Sequence, residues 1–119
     1  MGYSLELNLA IQSTDSNRIL GRSWRAKHAI FDRVKEEVFI KSRGLAPAKP
    51  LEKFTISIER HSPGTLDYDN FIASLKPYID ALKLSGIIKD DNWNFIKSIS
   101  VDQKISKAKQ IIIRVKEHE

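Results

Sequence analysis

Strict alternation of apolar and polar side chains is the feature that most constrains how this chain folds. In Tyr3–Leu9 the residues Tyr3, Leu5, Leu7 and Leu9 are interleaved with Ser4, Glu6 and Asn8. In Lys53–Arg60 the residues Phe54, Ile56 and Ile58 recur at the same spacing, and in Gln110–Val115 so do Ile111, Ile113 and Val115. Side chains on a strand point alternately to opposite faces, so each stretch predicts a strand with one buried face. Phe95–Val101, with Phe95, Ile96, Ile99 and Val101, adds a fourth. The basic run Lys104–Lys109 then reads as a hairpin loop joining the last two strands.

Between the strands the period changes. From about Ser23 to Arg43, Trp24, Phe31, Val34 and Val38 gather on one side of a helix, opposite Arg22, Arg25 and Arg33. Gly44, Pro47 and Pro50 end it. A second helix is predicted from about Asn70 to Leu84, carrying Phe71, Leu75, Ile79 and Leu82 at helical spacing. Pro77 should kink or divide it, and Gly86 should close it. The order is β-α-β-α-β-β: an α/β (α+β) fold with a mixed sheet of about four strands and two main helices. A chain of 119 residues has room for one such domain, 1–119.

Composition narrows the chemistry. The absence of cysteine excludes disulfides, thiolate metal sites and cysteine nucleophiles. No apolar run approaches the ~20 residues of a membrane span, so the expectation is a cytoplasmic protein without a membrane partner. The net charge is +5 and is unevenly distributed. Between Ser16 and Arg43, eight basic residues stand against Asp32, Glu36 and Glu37. Between Asp67 and Asp91, five aspartates stand against three lysines. Cations for a polyanion beside carboxylates for a metal suit a nuclease, although a solvated charged surface accounts for the same excess.

The carboxylates lie in Asp67-Tyr68-Asp69-Asn70 and, after the second helix, Asp90-Asp91. If Leu66–Asp69 is extended, Asp67 and Asp69 face one point, an arrangement suited to Mg²⁺, which takes one or two carboxylates plus water and phosphate oxygens. Asp91 joins them only if the chain returns. A helix cap at Asp69-Asn70 and a polar turn at Asp90-Asp91-Asn92 explain the same residues without any metal.

The succession Asp67-Tyr68-Asp69-Asn70, then Leu75-Lys76-Pro77-Tyr78-Ile79-Asp80-Ala81-Leu82, then Gly86-Ile87-Ile88-Lys89-Asp90-Asp91 resembles the signature of the RusA-type Holliday junction resolvases. The resemblance covers about 25 residues in order and spacing; the N-terminal half is similar only through Ser16-Asn17 ahead of an arginine-rich helix. It implies a homodimeric, Mg²⁺-dependent (or Mn²⁺-dependent) endonuclease of DNA recombination and repair that resolves four-way junctions by paired symmetric cuts. Asp67, Asp69 and Asp91 would be its metal ligands and catalytic carboxylates. The family also carries a functional lysine on the helix. Counted forward from Asn70 that position is Ala73; counted back from Asp80-Ala81-Leu82 it is Lys76, the candidate here. Lys76 also suits a plain i,i+4 pair with Asp80.

Arg18, Arg22, Arg25 and Lys27 are candidates for phosphate contacts with branched DNA. Two other readings stand beside the resolvase: a DNA-binding protein without catalysis, and a metal-dependent nuclease of flaps or forks. His28, His61 and His118 lack metal-ligand spacing. Trp24 is expected to pack the first helix, Trp93 to pack beside the acidic turn, and Tyr68 to lie in the core or at its rim.

Overall fold

In the computed structural model, which describes residues 2–11 and 24–118, the alternating stretches form one four-stranded sheet. The strands are β1 (Ser4–Ala10), β2 (Phe54–Ser62), β3 (Ile96–Ile105) and β4 (Gln110–Glu117); the helices are α1 (Trp24–Lys41) and α2 (Tyr68–Leu84). The sheet order is β1-β4-β2-β3. β4 runs antiparallel to β1 and to β2, whereas β2 and β3 are parallel and joined through α2. The fold is therefore the expected mixed α+β arrangement.

The period of two selects the buried face. Leu5, Leu7 and Leu9 of β1, Phe54, Ile56 and Ile58 of β2, and Ile111, Ile113 and Val115 of β4 are all buried. The helices supply the other half of the core: Ile30, Val34 and Val38 from α1, and Phe71, Leu75, Tyr78, Ala81 and Leu82 from α2. The helices pack on each other as well.

The expected hairpin between β3 and β4 does not form. Lys104 lies inside β3, and β2 separates the two strands. Residues 106–109 instead cross the end of β2, where the Ser106 N–H donates to the Ser62 carbonyl at 2.9 Å. Burial explains the outcome. β2 is buried at every second residue along its whole length, from Phe54 to Ser62, and takes a central place, whereas β3 buries only Ile96 and is tolerated at an edge.

The two edges differ. On β1, α1 reaches over the outer side: both Glu37 carboxylate oxygens accept from the Ala10 N–H at 3.1 and 3.0 Å, and Lys41 Nζ donates to the Asn8 carbonyl at 2.7 Å. On β3, no strand of the described residues pairs with the outer side.

α2 runs through Pro77 as a single undivided helix. At its end Ser85 is the C-cap and Gly86 adopts φ 77°. The Ile87 N–H donates to the Leu82 carbonyl at 3.0 Å and the Gly86 N–H to the Lys83 carbonyl at 3.2 Å, the two bonds of a Schellman motif. Leu82 and Ile87, the side chains that motif brings together, are both buried. The chain then returns past the start of β2: Leu51 N–H donates to Ile87 carbonyl and Lys89 N–H to Leu51 carbonyl, each at 2.9 Å. No helix among the described residues is long and apolar enough to cross a membrane.

Gly86 is needed for its backbone angle alone, because an added Cβ would meet nothing within 4 Å. Gly86→Ala should therefore cost about 1–2 kcal/mol through the left-handed conformation, measured as a lowered urea midpoint at unchanged m-value.

Candidate metal and nucleic-acid site

The acidic run opens α2 as a cap. Asp67 is the N-cap, with φ −66° and ψ 166°, and helical structure begins at Tyr68. Asp67 Oδ1 accepts from the Asn70 N–H at 3.1 Å and from Asn70 Nδ2 at 2.7 Å. The expectation of an extended Leu66–Asp69 is thus corrected, because capping satisfies N–H groups at the helix start that an extended segment would leave to solvent. Asp67 and Asp69 instead share the first turn, both exposed, at the positive end of a 17-residue helix.

The turn is tethered from below. The Leu66 N–H donates to Gln103 Oε1 at 2.8 Å while Gln103 Nε2 donates to the Leu66 carbonyl at 2.9 Å. The amide side chain of β3 thereby serves Leu66 as a strand neighbour would. Arg60, buried on β2, donates from NH1 to the Gly64 carbonyl at 3.0 Å, fixing the loop ahead of the cap. Burial pushes the Arg60 guanidinium below the ordinary arginine range, a direction that leaves arginine charged.

Asp90 and Asp91 lie past the other end of α2. Asp90 Oδ1 accepts from the Asp91 N–H at 2.7 Å and sits 3.5 Å from Lys83 Nζ on the last turn. The Asp91 N–H, then the Asp91 side chain, then Lys83 hold the Asp90 carboxyl below the usual carboxylate range. At 1.5 Å rise per residue, α2 spans roughly 25 Å, so the cap pair and the distal pair stand at opposite ends of one rod. Among the described residues no three His, Asp or Glu side chains are gathered where one ion could join them. Asp67 and Asp69 belong to one turn at the start of α2, and Asp91 lies beyond the helix's other end.

Lys76 is exposed on the outer face of α2 and pairs with Asp80 at 3.5 Å, the i,i+4 contact its spacing allows. It shares a helical stripe with Asp69, two turns on. Arg25 is exposed on the first turn of α1. Arg18, Arg22 and the side chains of Lys27 and Trp24 lie outside the described residues.

Two aromatic expectations are corrected. Tyr68 is 75% exposed and Trp93 is 73% exposed, so neither is core or packing. Each stands next to an acidic pair in sequence. Tyr68 opens the outer turn of α2, and Trp93 sits in a polar turn where no apolar element covers it.

Two clusters were invisible to motif reading. Lys49, Lys83 and Lys89 line a cleft of about 520 Å³ with Pro50, Glu52 and Ile88, beside Asp90. They are spread over forty positions and meet only through the pairing of Leu51 with Ile88. On the sheet face away from the helices, Glu59 gathers three partners: Arg114 NH1 at 2.7 Å, His61 Nε2 at 3.0 Å and Lys104 Nζ at 3.3 Å. Arg114 also holds Glu6 at 2.7 Å. His61 and Arg114, then Lys104, lower the Glu59 carboxyl to about 2.

No protein-family model matches this chain, and no curated protein matches it.

The stability that Glu59 contributes is present above its ordinary value of 4.5 and is lost as pH falls toward 2. Thermal unfolding of Glu59→Gln against the parent should show a lower Tm at pH 7, the gap closing as pH is taken to 2.

Proposed function

We propose that the protein is a Mg²⁺-dependent, structure-specific DNA endonuclease that acts as a homodimer on four-way junctions, in the manner of the RusA-type resolvases it resembles. The observation that carries the reading is the Asp67–Asp91 motif, whose leading aspartates are both exposed at the N-terminus of α2. Two carboxylates on an exposed turn are the hard oxygen donors that Mg²⁺ takes, its shell completed with water and phosphate oxygens. When bound there, the ion would lower the pKa of an attacking water and offset charge on the phosphate.

The chain's own groups do the rest. The N–H groups at the start of α2 favour an anion, so a DNA phosphate is drawn to the same point as the carboxylates. Tyr68, exposed between them, offers a stacking surface for a base unpaired at a branch point. Lys76 supplies positive charge on the same face of α2, and Arg25 and the rest of the basic segment hold backbone phosphates. Asp91 enters this scheme as the family's third carboxylate, reaching the cap pair only from another molecule or after rearrangement of the return loop. Localisation in the cytoplasm accords with a DNA substrate and a cysteine-free chain.

Fixed four-way junctions, flaps and linear duplexes, each with Mg²⁺ or with chelator, test the proposal. Paired symmetric nicks confined to the junction are expected; cutting of flaps alone, or binding without cutting, would replace it with one of the alternatives. Asp67→Asn should abolish cleavage while leaving binding and Tm nearly unchanged, because asparagine caps a helix as well as aspartate does. Asp91→Asn separates two site compositions: retained cutting fits a two-carboxylate site, and lost cutting requires Asp91 from elsewhere.

A further inference from the structure

Arg60 is the one charged side chain among the described residues that is buried, at 2% exposure. It stands on the helix face of β2, in line with Phe54, Ile56 and Ile58, with Gln103 of β3 and Ile111 of β4 as its strand neighbours. A buried guanidinium ordinarily has a carboxylate against it, because its desolvation is otherwise uncompensated. Among the described residues Arg60 has none: its one hydrogen bond runs from NH1 to the neutral Gly64 carbonyl at 3.0 Å. Burial lowers its pKa and no carboxylate raises it back. On the opposite face of the same sheet the exposed Arg114 holds two carboxylates, Glu6 and Glu59, each at 2.7 Å. The better-solvated arginine has the counter-ions.

The place of Arg60 identifies what the missing counter-ion is. β2 and β3 are parallel and joined by α2, and Arg60 lies near the carboxyl end of β2, where the chain turns toward the N-terminus of that helix. Anions collect at this end of parallel α/β units, drawn by the N–H groups of the first helical turn. Gln103, beside Arg60, bonds Leu66, and Asp67 follows, so the charge sits behind the acidic turn. The loop that NH1 holds is thin cover, because Pro63, Gly64 and Thr65 are all exposed. Asn70 Oδ1 and Ser85 Oγ are the only buried side-chain polar atoms without a partner among the described residues. Nε and NH2 of Arg60 have no partner either, so they keep contact with solvent.

We infer that Arg60 is a phosphate-binding residue, its unused guanidinium N–H groups receiving a phosphodiester of bound nucleic acid as the counter-ion the fold withholds. The planar fork of a guanidinium matches two phosphate oxygens. The substrate class rests on the nuclease reading; the anion site does not, and inorganic phosphate would fill it by the same chemistry. A charge kept unpaired lowers the stability of the free protein and is compensated when phosphate arrives. Arg60 therefore trades stability for affinity, which a purely structural arginine does not do.

The test uses the full chain with chelator present, so that no strand is cut. Arg60→Met keeps the bulk and removes the charge. Its Tm in chloride buffer should equal or exceed the parent's. Its Kd for a fixed four-way junction should rise roughly tenfold or more, with the slope of log Kd against log salt shallower by about one. Arg60→Lys should keep that slope. A less stable Arg60→Met that binds the junction as the parent does would overturn the proposal. A Tm rise with inorganic phosphate that Arg60→Met lacks, at unchanged junction affinity, would overturn the nucleic-acid assignment in favour of free phosphate. If Arg60→Met fails to fold, the parent decides: its Arg60 Nε–H resonance, identified by its absence from Arg60→Lys, should move on adding junction, and a resonance that stays in place overturns the proposal. Junction cutting by a protein whose Arg60 is silent would sink this inference alone. A protein that cuts nothing, yet loses affinity for duplex DNA with Arg60→Met, would sink the nuclease reading alone.

Discussion

The burial of one face of β2 is the constraint on which the rest of this molecule depends. Phe54, Ile56 and Ile58 are almost wholly excluded from solvent, with strands flanking β2 on both sides and the helices packed on the same core. β4 takes one side and brings β1 with it. β3 takes the other through the parallel connection that requires α2 to cross over. From that requirement follow the direction of α2, the place of its capped end near the exit of β2, and the place of its other end near the entry. The acidic pairs are divided between the two ends of the helix because of where the core needs α2 to run.

Much of this was readable in the chain. The strands and helices fall close to the predicted bounds, since a period of two or of 3.6 reports directly on which side chains are buried. Gly86 as the residue after the C-cap follows from the need for a positive φ. Sheet order was not readable. Short links suggest neighbours in space, and the basic run Lys104–Lys109 suggested a hairpin, but the link passes over the end of β2. Competition among strands for the central position is a property of the whole sheet, and no local pattern expresses it.

The candidate site was legible in its parts and not in its assembly. Asp67 caps the helix instead of facing Asp69 from an extended segment, because Asn70 and the N–H groups of the first turn offer Asp67 partners. Asp91 is separated from them by the length of a helix whose rise was calculable and whose direction was not. Tyr68 and Trp93 were expected to be covered by virtue of their size, yet size alone does not bury an aromatic at a turn. The Lys49, Lys83 and Lys89 cleft and the cations around Glu59 left no trace in any window, since each is collected from separate elements.

The two bonds between Gln103 and Leu66 carry a mechanical meaning. They clip the approach to the acidic turn onto the outermost strand, at a point where that strand has neighbours on one side only. Stiffness at the turn is therefore borrowed from β3, and whatever steadies the outer flank of β3 also narrows the wandering of the carboxylates that follow Leu66.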